Sequence, residues 1–209
     1  MIRFVLGLAV GAVVALAAAG WLGQARAEWL SRYRIALEAP PVPPSILSRV
    51  RAAEAASYAE APAWRRGVEH AQDAAAILVP RLAYALDWSV GPYRIKARTV
   101  EDLLSWAVGE GYLALPDGAE GLDRHAIAYF AEQPVLGDWE AQVYLAWLRA
   151  SHPGLAALGW EEIAADPALV AKLYSGYMGA GGAWQAWRAD LEPDPVARRR
   201  MGLGAGGDG

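Results

Sequence analysis

Cysteine is absent from the 209 residues, so the fold has neither a disulfide framework nor a thiolate-ligated metal. That absence leaves the redox compartment unread. Histidine is scarce: His70, His125 and His152 stand far apart, with no HExxH pair, and a metal centre is left without a ligand set. The three read as surface or capping residues. No GxSxG elbow and no GxxxxGK loop occurs, which removes the commonest serine-hydrolase and phosphate-loop signatures. A formal charge of −4 and a pI near 5.4 lack the basic footprint of a nucleic-acid binder. Phenylalanine is nearly missing as well, with two residues against ten Trp and nine Tyr. A core that needs only bulk can use Phe, whereas Trp and Tyr carry a polar tip that must find a partner. That bias fits a site gripping a sugar or a protein partner, and equally the core and rim of a helical domain.

Charge is also missing from the beginning of the chain. Phe4 to Leu22 (FVLGLAVGAVVALAAAGWL) is almost wholly apolar and has the ~20-residue length of a membrane-spanning helix, with Trp21 placed as an interfacial aromatic. Residues 1–25 therefore read as a transmembrane anchor. The rival is a cleavable signal peptide, for which Ala25-Arg26-Ala27 has the small-x-small form, although the apolar run exceeds the usual ~7–15 residues of a signal core. Arg3 precedes the segment, while Arg26, Arg32 and Arg34 follow it. The charge balance alone does not favour export of what comes next.

Residues 26–44 read as a juxtamembrane helix, to about Glu38, and a stiff linker, because Ala39 to Pro44 (APPVPP) cannot be helical through its prolines. Residues 45–191 read as the folded domain. Ser45 is a plausible N-cap for a helix to about Ala59, and Trp64 to Leu78 forms a second, with Pro80 a break beyond it. Thr99 with Asp102 resembles a capping-box start, followed by an apolar face of Val100, Leu103, Leu104, Ala107 and Val108. Further helices are predicted at Leu122 to Ala131, Asp138 to Ala150 and Trp184 to Leu191. Another starts at Asp166-Pro167 and must stop in the cluster Gly176 to Gly182. Strand signals are confined to Tyr93 to Lys96 and Tyr112 to Leu115, which makes the domain mainly α with a short extended segment. Residues 192–209, ending GLGAGGDG, are predicted to be a disordered tail.

The break DWSVGPYRIKAR, Asp87 to Arg98, carries a resemblance. Ser89-Val90-Gly91-Pro92-Tyr93-Arg94-Ile95-Lys96 followed by Thr99 is similar to the S-x-G-x-x-Q-I-x-x-x-T signature of lysozyme-like lytic transglycosylases. YLAWL (Tyr144 to Leu148) resembles that family's YL-x-x-L helix, and DPALVAKLYSGYMGAGGAW (Asp166 to Trp184) its late helix before a glycine-rich turn. YAEAPAWRRGVE (Tyr58 to Glu69) looks like the Y-x-E helix end of compact relatives. Together these motifs cover Ser45 to Leu191. Arg94 stands where the family has glutamine, and Met178 or Ser175 where it has asparagine.

The resemblance implies a lysozyme-like α+β fold in which Glu60 is the catalytic acid/base. One glutamic acid protonates the glycosidic oxygen and, as carboxylate, deprotonates the sugar's C6 hydroxyl to leave an anhydro sugar. Glu69 is the second candidate acid, but Arg65, Arg66 and His70 beside it read as an ion-paired helix face. Ser89 would orient the glutamate. Gly91, Tyr93, Arg94, Tyr174 and Tyr177 would contact the glycan. Two readings follow. One is a lytic transglycosylase-like enzyme acting on peptidoglycan strands without a cofactor, anchored in the cytoplasmic membrane with its domain on the periplasmic side, where that substrate lies. The other is a non-catalytic anchored module that binds glycan or an envelope protein partner.

Overall fold

Four prolines between Pro40 and Pro44 set the geometry of the first ordered stretch. The computed structural model describes residues 36–78, 85–90, 93–114, 134–179 and 195–203. The predicted anchor, the start of the juxtamembrane helix, the helices expected at 122–131 and 184–191, and Gly91 lie outside the described residues. Among the described residues no helix is long and apolar enough to cross a membrane.

Helix α1 (Pro44–Glu60) starts with Pro44 in its first turn and Pro43 extended as N-cap. A fixed φ suits proline there, and its missing N–H loses no helical bond. The N-cap thus lies two positions before the predicted Ser45. Ile46, Leu47, Val50 and Ala53 are buried on the inner face, and the helix ends where Ala61, preceding Pro62, is driven into the extended region. Helix α2 (Ala63–Leu78) follows.

Two short antiparallel pairs make up the β content of the described residues. Strand β1 (Ala36–Leu37) pairs with β4 (Leu113–Ala114), Ala36 opposite Ala114. Strands β2 (Ser89–Val90) and β3 (Ile95–Lys96) form a hairpin, Ser89 opposite Lys96. The extended run expected from Tyr93 is therefore a turn at Tyr93–Arg94 and a strand only from Ile95. Helix α3 (Ala97–Gly109) leaves directly from β3. It begins two residues before the predicted Thr99 start, because Asp87 supplies the cap from across the hairpin: its Oδ1 accepts from the Arg98 N–H at 3.1 Å. The helix ends in a turn at Gly111, whose φ of 79° is open to glycine at no steric cost. The chain then reverses into β4.

Helix α4 (Pro134–Ser151) is the central element, packing against α1 and α3 and against the later helices α5 (Pro153–Ala156) and α7 (Pro167–Met178). Ala141, Val143, Leu145 and Leu148 are fully buried and Tyr144 nearly so, and apolar burial all round marks a helix enclosed by others. Helix α6 (Trp160–Ala165) leads to α7, which starts as predicted, with Asp166 Oδ1 accepting from Ala168 N–H at 2.7 Å. The molecule is mainly helical.

Three sequence expectations are corrected. The juxtamembrane helix does not reach Glu38, since Ala36–Leu37 is a strand. The linker is not a free spacer: Val42 is 5% exposed, the Glu38 N–H bonds to Tyr112 O at 2.9 Å, and Trp139 Nε1 donates to Glu38 O at 2.9 Å. Apolar Val42 and the unpaired backbone on either side of it gain more from the domain than from water. The tail is not wholly disordered either, because Pro195–Arg200 forms helix α8, with Ala197 fully buried, against α7 and α1. The glycine-rich composition outweighed PVARRR in the sequence reading, although proline at the first position and a small inward residue suffice for one docked turn.

Candidate functional site

The inward row of α1 continues past its apolar residues. Ile46, Val50 and Glu54 follow one another at i, i+4, so one turn beyond Val50 a carboxylate stands in line with the core. It opens into a cavity of about 470 Å³, walled by Ser57, Arg65, Ser89, Arg94, Lys96, Thr99, Tyr144, Tyr177, Met178 and Arg200. An adjoining lobe of about 290 Å³ shares Glu54, Ser57, Arg65, Ser89 and Arg94, and adds Tyr58, Glu69, Gln72, Asp87 and Trp88. The cleft thus lies between α1, α2, the hairpin, and the α7–α8 wall.

Tyr174 holds Glu54 in place: its hydroxyl donates to Glu54 Oε1 at 2.6 Å. Arg200 Nη1 in turn donates to the Tyr174 oxygen at 3.3 Å. Burial raises the Glu54 carboxyl above the ordinary glutamate value, while the Tyr174 hydrogen bond and the charges of Arg200 and Arg94 pull it back in part. A carboxyl so balanced holds a proton more readily than an exposed one and still has partners for its anion.

Arg94 is the second organising group. Nη2 bonds to Glu69 Oε2 at 3.0 Å, Nη1 to Asp73 Oδ1 at 2.8 Å and also to Ser89 O at 3.3 Å, while the guanidinium lies over the Tyr58 ring at 5.6 Å. It clamps the hairpin onto α2. Its backbone φ of 53° is unusual for a side-chain-bearing residue. Asp73 stays above the ordinary aspartate value because its burial outweighs the attraction of Arg94. Glu69 is also bonded by Arg65 Nε at 2.9 Å, the ion-paired role expected of it. Lys96 faces Asp87 at 3.5 Å.

The cleft gathers some of the predicted site residues and leaves out others. Ser89, Arg94 and Tyr177 line it. Glu60 does not: it is the exposed last residue of α1 and lines neither lobe. Six residues beyond Glu54, it points about 120° away around the helix and sits about 9 Å further along it. Glu60 therefore stands apart from the cleft, and the carboxylate that α1 presents to it is that of Glu54. Tyr93 is a core residue, 3% exposed, whose hydroxyl donates to Asp138 Oδ1 at 2.8 Å; burial, then that bond, pushes its pKa to about 12. Its placement as a glycan contact is also corrected. Tyr174 is fully buried and acts on the carboxylate rather than on the cavity. Tyr177 presents its ring, since its hydroxyl donates to the Tyr93 carbonyl. Tyr144 packs 4.9 Å from that ring.

Glu54, Ser57, Arg65 and Arg200 escaped the sequence reading. Glu54 had a signal, a carboxylate at i+4 in a buried row. Arg200 had none, because only the docking of α8 brings it to the cleft. His152 is the capping histidine expected, accepting at Nδ1 from Gly154 N–H at 3.0 Å, although it is buried.

No protein-family profile, curated protein or solved structure matches the chain.

Proposed function

We propose that the protein acts on an envelope glycan, with Glu54 as the acid/base at the sugar's anomeric centre. The observation that supports this is the partly buried Glu54 carboxyl, fixed by Tyr174 at the mouth of a cleft flanked by Ser89 and Tyr177. In the lytic reading implied by the resemblance, protonated Glu54 delivers its proton to the glycosidic oxygen as the C1–O bond breaks. The resulting carboxylate takes the proton of the C6 hydroxyl, whose oxygen closes on C1 to give an anhydro end. The proton lost in the first half is regained in the second. Tyr177 and Tyr144 supply an aromatic floor for a sugar ring. The lysozyme-like fold, the membrane anchor and the periplasmic placement belong to the same proposal.

The charge of the larger lobe favours a second reading. Arg65, Arg94, Lys96 and Arg200 line it; the first three are ion-paired with Glu69, Asp73 and Asp87, while Arg200 has no carboxylate partner among the described residues and suits an anionic leaving group. A sugar linked through phosphate would then lose that phosphate to the cations. Ionised Glu54 would remove the proton of an acceptor hydroxyl attacking C1, extending a glycan instead of cutting it.

One experiment tests both. Full-length protein in detergent is incubated separately with purified peptidoglycan and with a lipid-linked disaccharide diphosphate, and the products are resolved by mass spectrometry. Anhydro-muropeptides support cleavage, and lengthened glycan supports transfer. In either case Glu54→Gln should lower the rate at least about a hundredfold, while Glu60→Gln leaves it within about twofold. Activity surviving Glu54→Gln sinks the assignment. Saturable glycan binding without product from the native chain establishes the non-catalytic module instead.

A further inference from the structure

Tyr174 touches Glu54 on one side and Arg200 on the other, and its chemistry fixes the direction of both contacts. A guanidinium has donors and no acceptor, so the phenolic oxygen must accept from Arg200. Its single proton is then free to lie along the 2.6 Å contact to Glu54 Oε1. The positive charge behind the phenol polarises it toward the carboxylate. Tyr174 has no alternative partner in solvent, because it is fully buried and its ring is stacked on Tyr177 at 6.0 Å. Arg200, by contrast, reaches the cavity wall itself, steadied by a 3.2 Å contact with Met178 Sδ.

We infer that Arg200, carried by the C-terminal helix, is a positioning residue that acts through Tyr174 to stabilise the carboxylate form of Glu54, so that one glutamate both gives up and regains a proton. The inference rests on the reading of Glu54 as the acid/base. Burial alone would hold Glu54 in its protonated form and leave it a poor base. The Arg200–Tyr174 pair opposes that burial from the α7–α8 side. Arg94 acts on it from the hairpin and Glu69 from α2, with opposite signs, and Arg65, Lys96, Tyr144 and Tyr177 line the same lobe or its neighbour. Only the Tyr174 hydroxyl contacts the carboxyl directly among the hydrogen bonds of the described residues. Residues 195–200 are therefore part of the site although they lie far along the chain from the hairpin.

The test is the titration of Glu54 itself, followed by carbon NMR of the full chain labelled at glutamate carboxyls, with the resonance assigned from its loss in Glu54→Gln. Tyr174→Phe should weaken the ionisation of Glu54 by about tenfold, the loss of one hydrogen bond to a charged group. Arg200→Met, which keeps helix propensity and bulk, should weaken it by about threefold, and Arg200→Lys should recover part of that loss. A Glu54 midpoint unchanged in Arg200→Met, with near-ultraviolet circular dichroism retained, overturns the role of Arg200. If Tyr174→Phe does not fold, the Arg200 pair decides alone. The titration does not need turnover. An inactive chain with shifted midpoints sinks the glycan reading and keeps the relay, whereas an active chain with unshifted midpoints does the reverse.

Discussion

Glu140 shows what a single buried carboxyl does to this molecule. It is 4% exposed on α4, and its Oε1 has no hydrogen-bond partner among the described residues. Burial holds it well above the ordinary glutamate value, so the folded chain keeps a proton there that the unfolded chain releases. The sign follows from linkage. Between the ordinary glutamate value and the raised one, the native state binds more protons than the unfolded state, and stability falls as pH rises, by up to about 1.4 kcal/mol per pH unit. The contribution is complete below the unfolded value and is lost on passing through the folded one. Glu140→Gln, close in shape and never charged, should therefore raise the melting temperature at pH 8. That advantage should shrink to nothing near pH 4. Equal gains at both pH values would mean that the Glu140 carboxyl ionises as readily in the native state as in the unfolded one.

At the scale of elements the hairpin β2–β3 is the part whose purpose needs explaining, since two residues per strand pair few backbone groups. Its position comes from side chains: Arg94 ties it to Glu69 and Asp73 of α2, and Asp87 ties its entry to the first turn of α3. Removing the guanidinium takes the cation from Asp73 and leaves Glu69 with Arg65 alone, which costs about 2 kcal/mol. The backbone at φ 53° adds a distinguishing feature. Arg94→Ala loses the ion pairs and keeps the left-handed strain, whereas Arg94→Gly loses the same pairs and relieves about 1 kcal/mol of it. The glycine variant should therefore unfold at higher urea than the alanine variant, the reverse of the usual order. This hairpin also marks the limit of what the sequence discloses. The break in helical pattern at Asp87 to Arg98, the Asp166-Pro167 start and the buried stripe Val100, Leu103, Leu104 and Ala107 of α3 were legible, because each is written in local spacing, although Val108 at the end of that face is exposed. The helix start at Ala97 was not, because its cap comes from Asp87 across a turn, and neither was Arg200, which reaches the cleft only through tertiary docking. Glu54 was visible in the spacing of α1, yet the motif around Tyr58 drew attention to Glu60, one helix face away.

Across the whole molecule the most consequential correction is where the folded unit begins. A domain boundary at Ser45 follows from reading APPVPP as a spacer, yet residues 36–43 are bound on three counts: the β1–β4 pair, Val42 in the core, and the Glu38 backbone held by Tyr112 and Trp139. Burying one valine is worth about 1.5–3 kcal/mol and each hydrogen bond about 1 kcal/mol. A chain started at Ser45 should then be about 3 kcal/mol or more less stable than one started at Ala36, with a correspondingly lower urea midpoint and earlier exchange of the Leu113 and Ala114 amides. Equal midpoints would show that the strap is only laid over the domain. The placement also bears on the proposed anchor. With residues 36–43 fixed to the domain, only residues 23–35 separate it from the apolar segment ending at Leu22, a reach of about 45 Å even when fully extended. Restoring a free linker by Trp139→Phe together with Val42→Ser should therefore loosen the strap and lower stability toward that of the Ser45 chain, while leaving the Glu54 titration unchanged.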